Sequence, residues 1–130
     1  MGVHMSQSDW KIYIQEIFGA QEIPGITAQN LEIFRDYLRS NLEHPCYLFI
    51  ADDDGAGFEA LLVEDCLQEV DESEGVYIQV IRTSDNRQYI LPLAQMECPA
   101  EDEANHKLVD AYCSWFIREI FSRKENDFPQ

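Results

Sequence analysis

Between Ser40 and Ile81 the chain carries eleven carboxylates and not one Lys or Arg: Glu43, Asp52, Asp53, Asp54, Glu59, Glu64, Asp65, Glu69, Asp71, Glu72 and Glu74. Two carboxylates held 4 Å apart repel by about 1 kcal/mol in water and by more beside a protein surface, so a divalent cation would relieve strain that folding creates. Hard oxygen donors without an imidazole or thiolate cluster suit calcium or magnesium better than zinc or copper. The densest group is Asp52-Asp53-Asp54, followed by Gly55-Ala56-Gly57, a loop able to turn both carboxylates and carbonyls toward an ion. The candidate metal ligands are therefore Asp52, Asp53 and Asp54, joined by Glu59, Asp71, Glu72 and Glu74 if the fold brings the two clusters together. The spacing is not that of an EF-hand: with Asp52, Asp54 and Gly55 at positions three, five and six, positions one and twelve fall on Ile50 and Leu61, which cannot coordinate. A solvated acidic face that confers only solubility is the plainer reading of the same residues.

Other chemistry is poorly provided for. There is no GxSxG, no phosphate-cradling glycine loop and no HExxH, and so many acids make any chosen catalytic pair uninformative. The sequence reads as non-enzymatic. His44 and His106 read as surface or capping residues. Cys46, Cys66, Cys98 and Cys113 form no CxxC pair and sit among apolar neighbours, as expected of reduced, mostly buried thiols in a cytoplasmic protein. A zinc site from Cys98, His106 and Cys113, or from His44 and Cys46, lacks motif spacing.

The 130 residues suit one domain, and 45% hydrophobic content suits a packed core. Residues 5–125 are expected to form that domain, with 1–4 read as a cloning remnant and 126–130 as a frayed tail. Nine basic residues against twenty-five acidic ones give a net charge of −16, which repels phosphates and anionic lipid and favours cations or basic protein surfaces. Nucleic acid and membrane are thus disfavoured as partners, and no run reaches the ~18 apolar residues of a membrane span.

The positioning elements centre on Gly75 to Cys98. Val76 to Ile81 and Arg87 to Leu91 read as two strands joined at Ser84-Asp85-Asn86, and Pro92 ends regular pairing. Before them, Ser8 caps a helix carrying Trp10, Tyr13, Ile14, Ile17 and Phe18 at helical spacing, with Gly19 at its C-cap. Thr27 caps a second helix with Leu31, Phe34 and Leu38 inward, ending near Asn41. Cys46 to Ile50 reads as a buried strand, and Phe58 to Val70 as one bent strand or two short ones. A final helix is expected from about Ala104 to Phe121. The expected core includes Val76 or Tyr77, Ile78, Val80, Ile90, Leu93, Tyr112 and Trp115. Two helices, about five short strands and a third helix give an α+β class: a small bent antiparallel sheet or an SH3-like barrel, with helices covering an open end.

The segments Asn41 to Leu48, Arg82 to Asp85, Leu91 to Met96 and Asn105 to Phe116 resemble, in order, the bacterial family typified by the cyanobacterial calcium-binding protein. That resemblance implies a small β-domain with flanking helices that binds calcium largely through negative surface charge. None of the four segments is itself a metal site; their Leu-Pro-Leu and Tyr-x-x-Trp-Phe patterns look like core and boundary residues. Two functions remain open. One is weak calcium binding through the acidic 52–74 region. The other is an interaction module whose acidic face docks a basic protein or imitates nucleic-acid charge.

Overall fold

Thr27 opens the second helix as its spacing predicts. Its backbone is extended and its hydroxyl accepts from the Asn30 N–H at 3.1 Å, while Ile26 and Leu31 are both buried around the cap. The structure is a computed structural model that describes residues 7–52, 55 and 57–127, with side chains described within 9–122. In chain order it contains α1 (Gln7–Phe18), α2 (Ala28–Asn41), β1 (Tyr47–Ala51), β2 (Phe58–Asp71), β3 (Gly75–Arg82), β4 (Arg87–Pro92), a 3₁₀ turn (Leu93–Gln95) and α3 (Glu103–Asp127).

The strands form one antiparallel sheet in the order β1-β2-β3-β4, an up-and-down meander with β1 and β4 at its edges. The class is α+β, and of the two expected sheet shapes the chain takes the open one. Residues 58–71 form a single fourteen-residue strand whose pairing with β3 slips at Val63/Asp65 and again at Cys66/Val70. Such bulges bend a strand and raise its twist. With residues 58–71 forming one strand the sheet has four strands where about five were expected, and outside them one isolated bridge lets Phe49 and Glu97 exchange two backbone hydrogen bonds of 2.8 and 2.9 Å. Pro92 and Pro99 bracket the Glu97 segment and lack the N–H donors a longer ladder needs.

The helices pack on one side of the sheet. Leu48, Leu61, Val63, Cys66, Val76, Ile78 and Val80 point inward and are buried with Leu31, Phe34 and Leu38 of α2 and Tyr112 and Trp115 of α3. Phe34 and Trp115 stack at 5.3 Å, and Tyr112 meets Phe34 edge-on at 5.1 Å. The Trp115 indole N–H reaches the Pro24 carbonyl at 2.7 Å, so burying this large ring strands no donor.

Two expectations need correcting. Ile90 is 56% exposed. Val80 pairs with Tyr89 and Ile78 with Leu91, so the alternation of β4 turns Tyr89 and Leu91 inward and Ile90 outward. His106 is buried, with Nδ1 2.9 Å from the Cys98 carbonyl oxygen, because the chain from Cys98 folds back over the first turn of α3. The four cysteines are free; three are buried and Cys113 is half-buried.

Candidate functional site

The acidic clusters lie at the two ends of β2. Asp52 follows β1, and its loop is closed by two backbone hydrogen bonds: Asp52 N–H to the Gly57 carbonyl at 2.8 Å and Gly55 N–H to the Asp52 carbonyl at 3.0 Å. Gly55 takes φ +72°, a left-handed backbone that glycine adopts without penalty. The Asp52 carboxylate lies against Gly57, where a Cβ would stand 3.3 Å from Oδ2. Asp53 and Asp54 lie outside the described residues. Glu59 is on the adjoining strand opposite Ile50, and its Oε1 is 3.4 Å from Arg82 Nη1.

Asp71 ends β2, and Glu72 and Glu74 occupy the turn between β2 and β3. Asp71 Oδ1 accepts from the Ser73 N–H at 2.7 Å and the Glu74 N–H at 3.1 Å, a carboxylate folded over its own turn. The Ser73 hydroxyl and these backbone donors favour the ionised form and hold the carboxyl below its ordinary range. Glu74 Oε1 accepts from the Tyr77 hydroxyl at 2.9 Å, and that bond to a carboxylate pushes the phenol up to about 12. Glu72 is exposed in the same turn.

The two clusters are therefore separate. A straight strand of fourteen residues spans roughly 40 Å, and although the bulges shorten that path, one calcium ion needs all its ligands at about 2.3–2.6 Å. Asp52 and Glu59 belong to one end; Asp71, Glu72 and Glu74 belong to the other. Among the described residues no three His, Cys, Asp or Glu side chains converge as a metal group, so these acids alone do not form a preorganised cage. The thiol and imidazole alternatives fare no better. Cys113 Sγ faces the Leu93 and Met96 carbonyls at 3.7 and 3.8 Å, and His106 is engaged by the Cys98 carbonyl.

The chain has solved counterparts in fold. A crystal structure of Anabaena CcbP superposes with a TM-score of 0.60 at 15% identity, covering 88% of this chain and 94% of that one. A calcium binding protein in its calcium-binding form superposes with a TM-score of 0.59 at 16% identity, covering 91% and 97%. No protein-family model and no curated protein matches the sequence. At these identities the likeness establishes a shared fold that takes in the sheet and the helices over most of both chains.

Sequence reasoning passed over Asn105 as a chemical group. It is buried at the start of α3, accepts from the Glu43 N–H and donates to the Glu43 carbonyl and to Asp102 Oδ2, each at 2.8 Å. It pins the turn before β1 to the last helix and so fixes where β1 enters the sheet. The Asp102-x-x-Asn105 spacing at a helix start was the available signal.

Proposed function

We propose that this is a small acidic cytoplasmic protein that binds calcium weakly through clustered carboxylates. Its principal locus is the β1–β2 loop with Asp52, Asp53 and Asp54, assisted by Glu59. Asp71, Glu72 and Glu74 form a second, separate locus. The supporting observation is the fold shared over 91% of the chain with a protein described as calcium-binding in its calcium-binding form. The run from Ser40 to Ile81 with eleven acids and no cation supplies the field that draws a divalent ion. At the turn Asp71 and Glu74 already accept hydrogen bonds that an ion would have to displace, as at the loop Glu59 would have to leave Arg82, so the loop's preference rests on its three consecutive acids. Free thiols suit a reducing compartment, and among the described residues no helix is long and apolar enough to cross a membrane.

Ordering a glycine-containing loop opposes binding, so a dissociation constant of roughly 10⁻⁴–10⁻³ M is expected, as in other loosely built calcium sites. Calorimetric titration with calcium, using magnesium as the control, measures it. Changing Asp52, Asp53 and Asp54 together to Asn should remove most of the saturable heat; changing Asp71→Asn, Glu72→Gln and Glu74→Gln should remove less. No saturable binding at millimolar calcium in the parent would overturn the reading, and equal binding by the first variant would overturn the site.

A further inference from the structure

The side of the sheet away from the helices carries an apolar surface that no described element covers. By the pleat, Tyr47, Leu62 and Ile81 stand in one cross-strand row, with Phe49, Phe58 and Ile90 around them. Tyr47 is 44%, Phe58 65% and Ile90 56% exposed. Isolated exposed apolar side chains are ordinary, but these three beside the half-buried Phe49, Leu62 and Ile81 on one sheet face form a patch of the kind that marks interaction sites.

The charged groups on this face have one sign. Glu64, in the first bulge, accepts from Gln79 Nε2 at 3.1 Å and from Gln88 Nε2 at 2.7 Å, which places its carboxylate on the outer face; these bonds hold its pKa below the usual carboxylate range. Tyr77 extends the face toward the β2–β3 turn, where its hydroxyl meets Glu74, with Glu69 and Asp71 nearby. Glu97 sits opposite Phe49 at the β1 edge. The only cations in the four strands, Arg82 and Arg87, are paired with each other at positions opposite the buried Leu61, hence on the inner-facing side.

We propose that this outer sheet face is a docking surface for a basic amphipathic protein segment, one whose apolar side chains meet the Tyr47, Leu62, Ile81 and Ile90 area while its Lys or Arg residues meet the acidic margin. Charge complementarity selects that occupant. A second copy would bring a net −16 against the same acidic margin, and phosphate or anionic lipid would be repelled likewise. The interaction needs no calcium, and although its margin shares Asp71 and Glu74 with the second metal locus, binding in EDTA separates it from the metal reading.

The test uses the full chain in EDTA and a labelled fourteen-residue helical peptide of Leu and Lys, compared with an all-Lys peptide and with a Leu/Glu peptide. Anisotropy should show the Leu/Lys peptide binding at least tenfold more tightly than either control, and weakening as salt rises. Tyr47→Ser with Ile90→Thr should weaken binding at least tenfold while leaving the melting temperature unchanged, because both side chains are exposed. Amide shifts on titration should map to β1–β4. Equal affinity for the all-Lys peptide, undiminished binding by the double variant, or shifts confined to the helices would overturn the proposal. So would sedimentation equilibrium showing the parent to be a dimer that the double variant dissolves, since the face would then be covered by a second copy.

Discussion

On the inner side of the sheet Leu48, Leu61, Val63, Val76, Ile78 and Val80 are at most 4% exposed; on the outer side Tyr47, Phe58 and Ile90 keep 44% or more of their surface in water. Both sides carry large apolar side chains, although the outer one also carries Glu64, Gln79 and Gln88. What differs is the cover: α2 and α3 lay Phe34, Tyr112 and Trp115 over the inner side, and no described element lies over the outer one. Hydrophobic content along a strand therefore does not decide which face is core. The positions of the helices decide it, and they follow from contacts made tens of residues away.

The largest effect should come from removing that cover. Trp115→Ala is expected to destabilise the protein by about 3–5 kcal/mol, as large aromatic truncations do, in urea denaturation. A loss below about 1 kcal/mol would mean that the inner and outer faces are not energetically distinct. A sharper probe is the hydroxyl of Tyr112, which accepts from the Val76 N–H at 2.7 Å inside the core. Tyr112→Phe leaves that buried N–H without its partner and should reduce stability by about 1–3 kcal/mol, with faster exchange of the Val76 amide as the local signature. A Cβ at Gly75 would collide with the same hydroxyl, and Gly75 holds φ +85°, so the contact is available only to glycine.

The smallest effect belongs to the hairpin tip, where both faces end. Arg82 donates to Asp85 and also lies over the Tyr89 ring at 5.0 Å; the Asp85 carboxyl is held at about 2 by that hydrogen bond foremost. A carboxyl depressed in the folded state contributes stability above its unfolded pKa of about 4, and that contribution disappears as pH falls through the folded value. Asp85→Asn should therefore melt slightly lower than the parent at pH 7, and the difference should close between about pH 4 and pH 2. A gap that stays constant across that window would show that the ion pair contributes nothing.

Local signals in the sequence were read correctly where one residue governs one turn. Thr27 caps α2, Gly19 ends α1 with φ +60°, and Asn86 takes φ +62° in the hairpin turn. The phase of β4 was not legible, because Tyr89, Ile90 and Leu91 are consecutive apolar residues and only the pairing of Val80 with Tyr89 selects the inward set. β2 was blurred for a related reason: its inward residues Leu61, Val63, Cys66 and Val70 are spaced by two, three and four, since each bulge adds residues and breaks the period. The acidic clusters were plain as composition, but their separation was not. It depends on β2 being one continuous strand, which places Asp52 and Asp71 at opposite ends.

The junction of Trp115 with Phe34 and the Pro24 carbonyl has a further consequence for the order in which the chain is made. The ribosome completes every strand before α3 exists, so the hairpins can pair while both faces of the sheet lack the cover that Tyr112 and Trp115 will bring to one of them. An apolar sheet in that state is the kind of species that aggregates. The segment from Ser40 to Ile81, with eleven acids and no Lys or Arg, adds like-charge repulsion between chains in that state, which opposes their association.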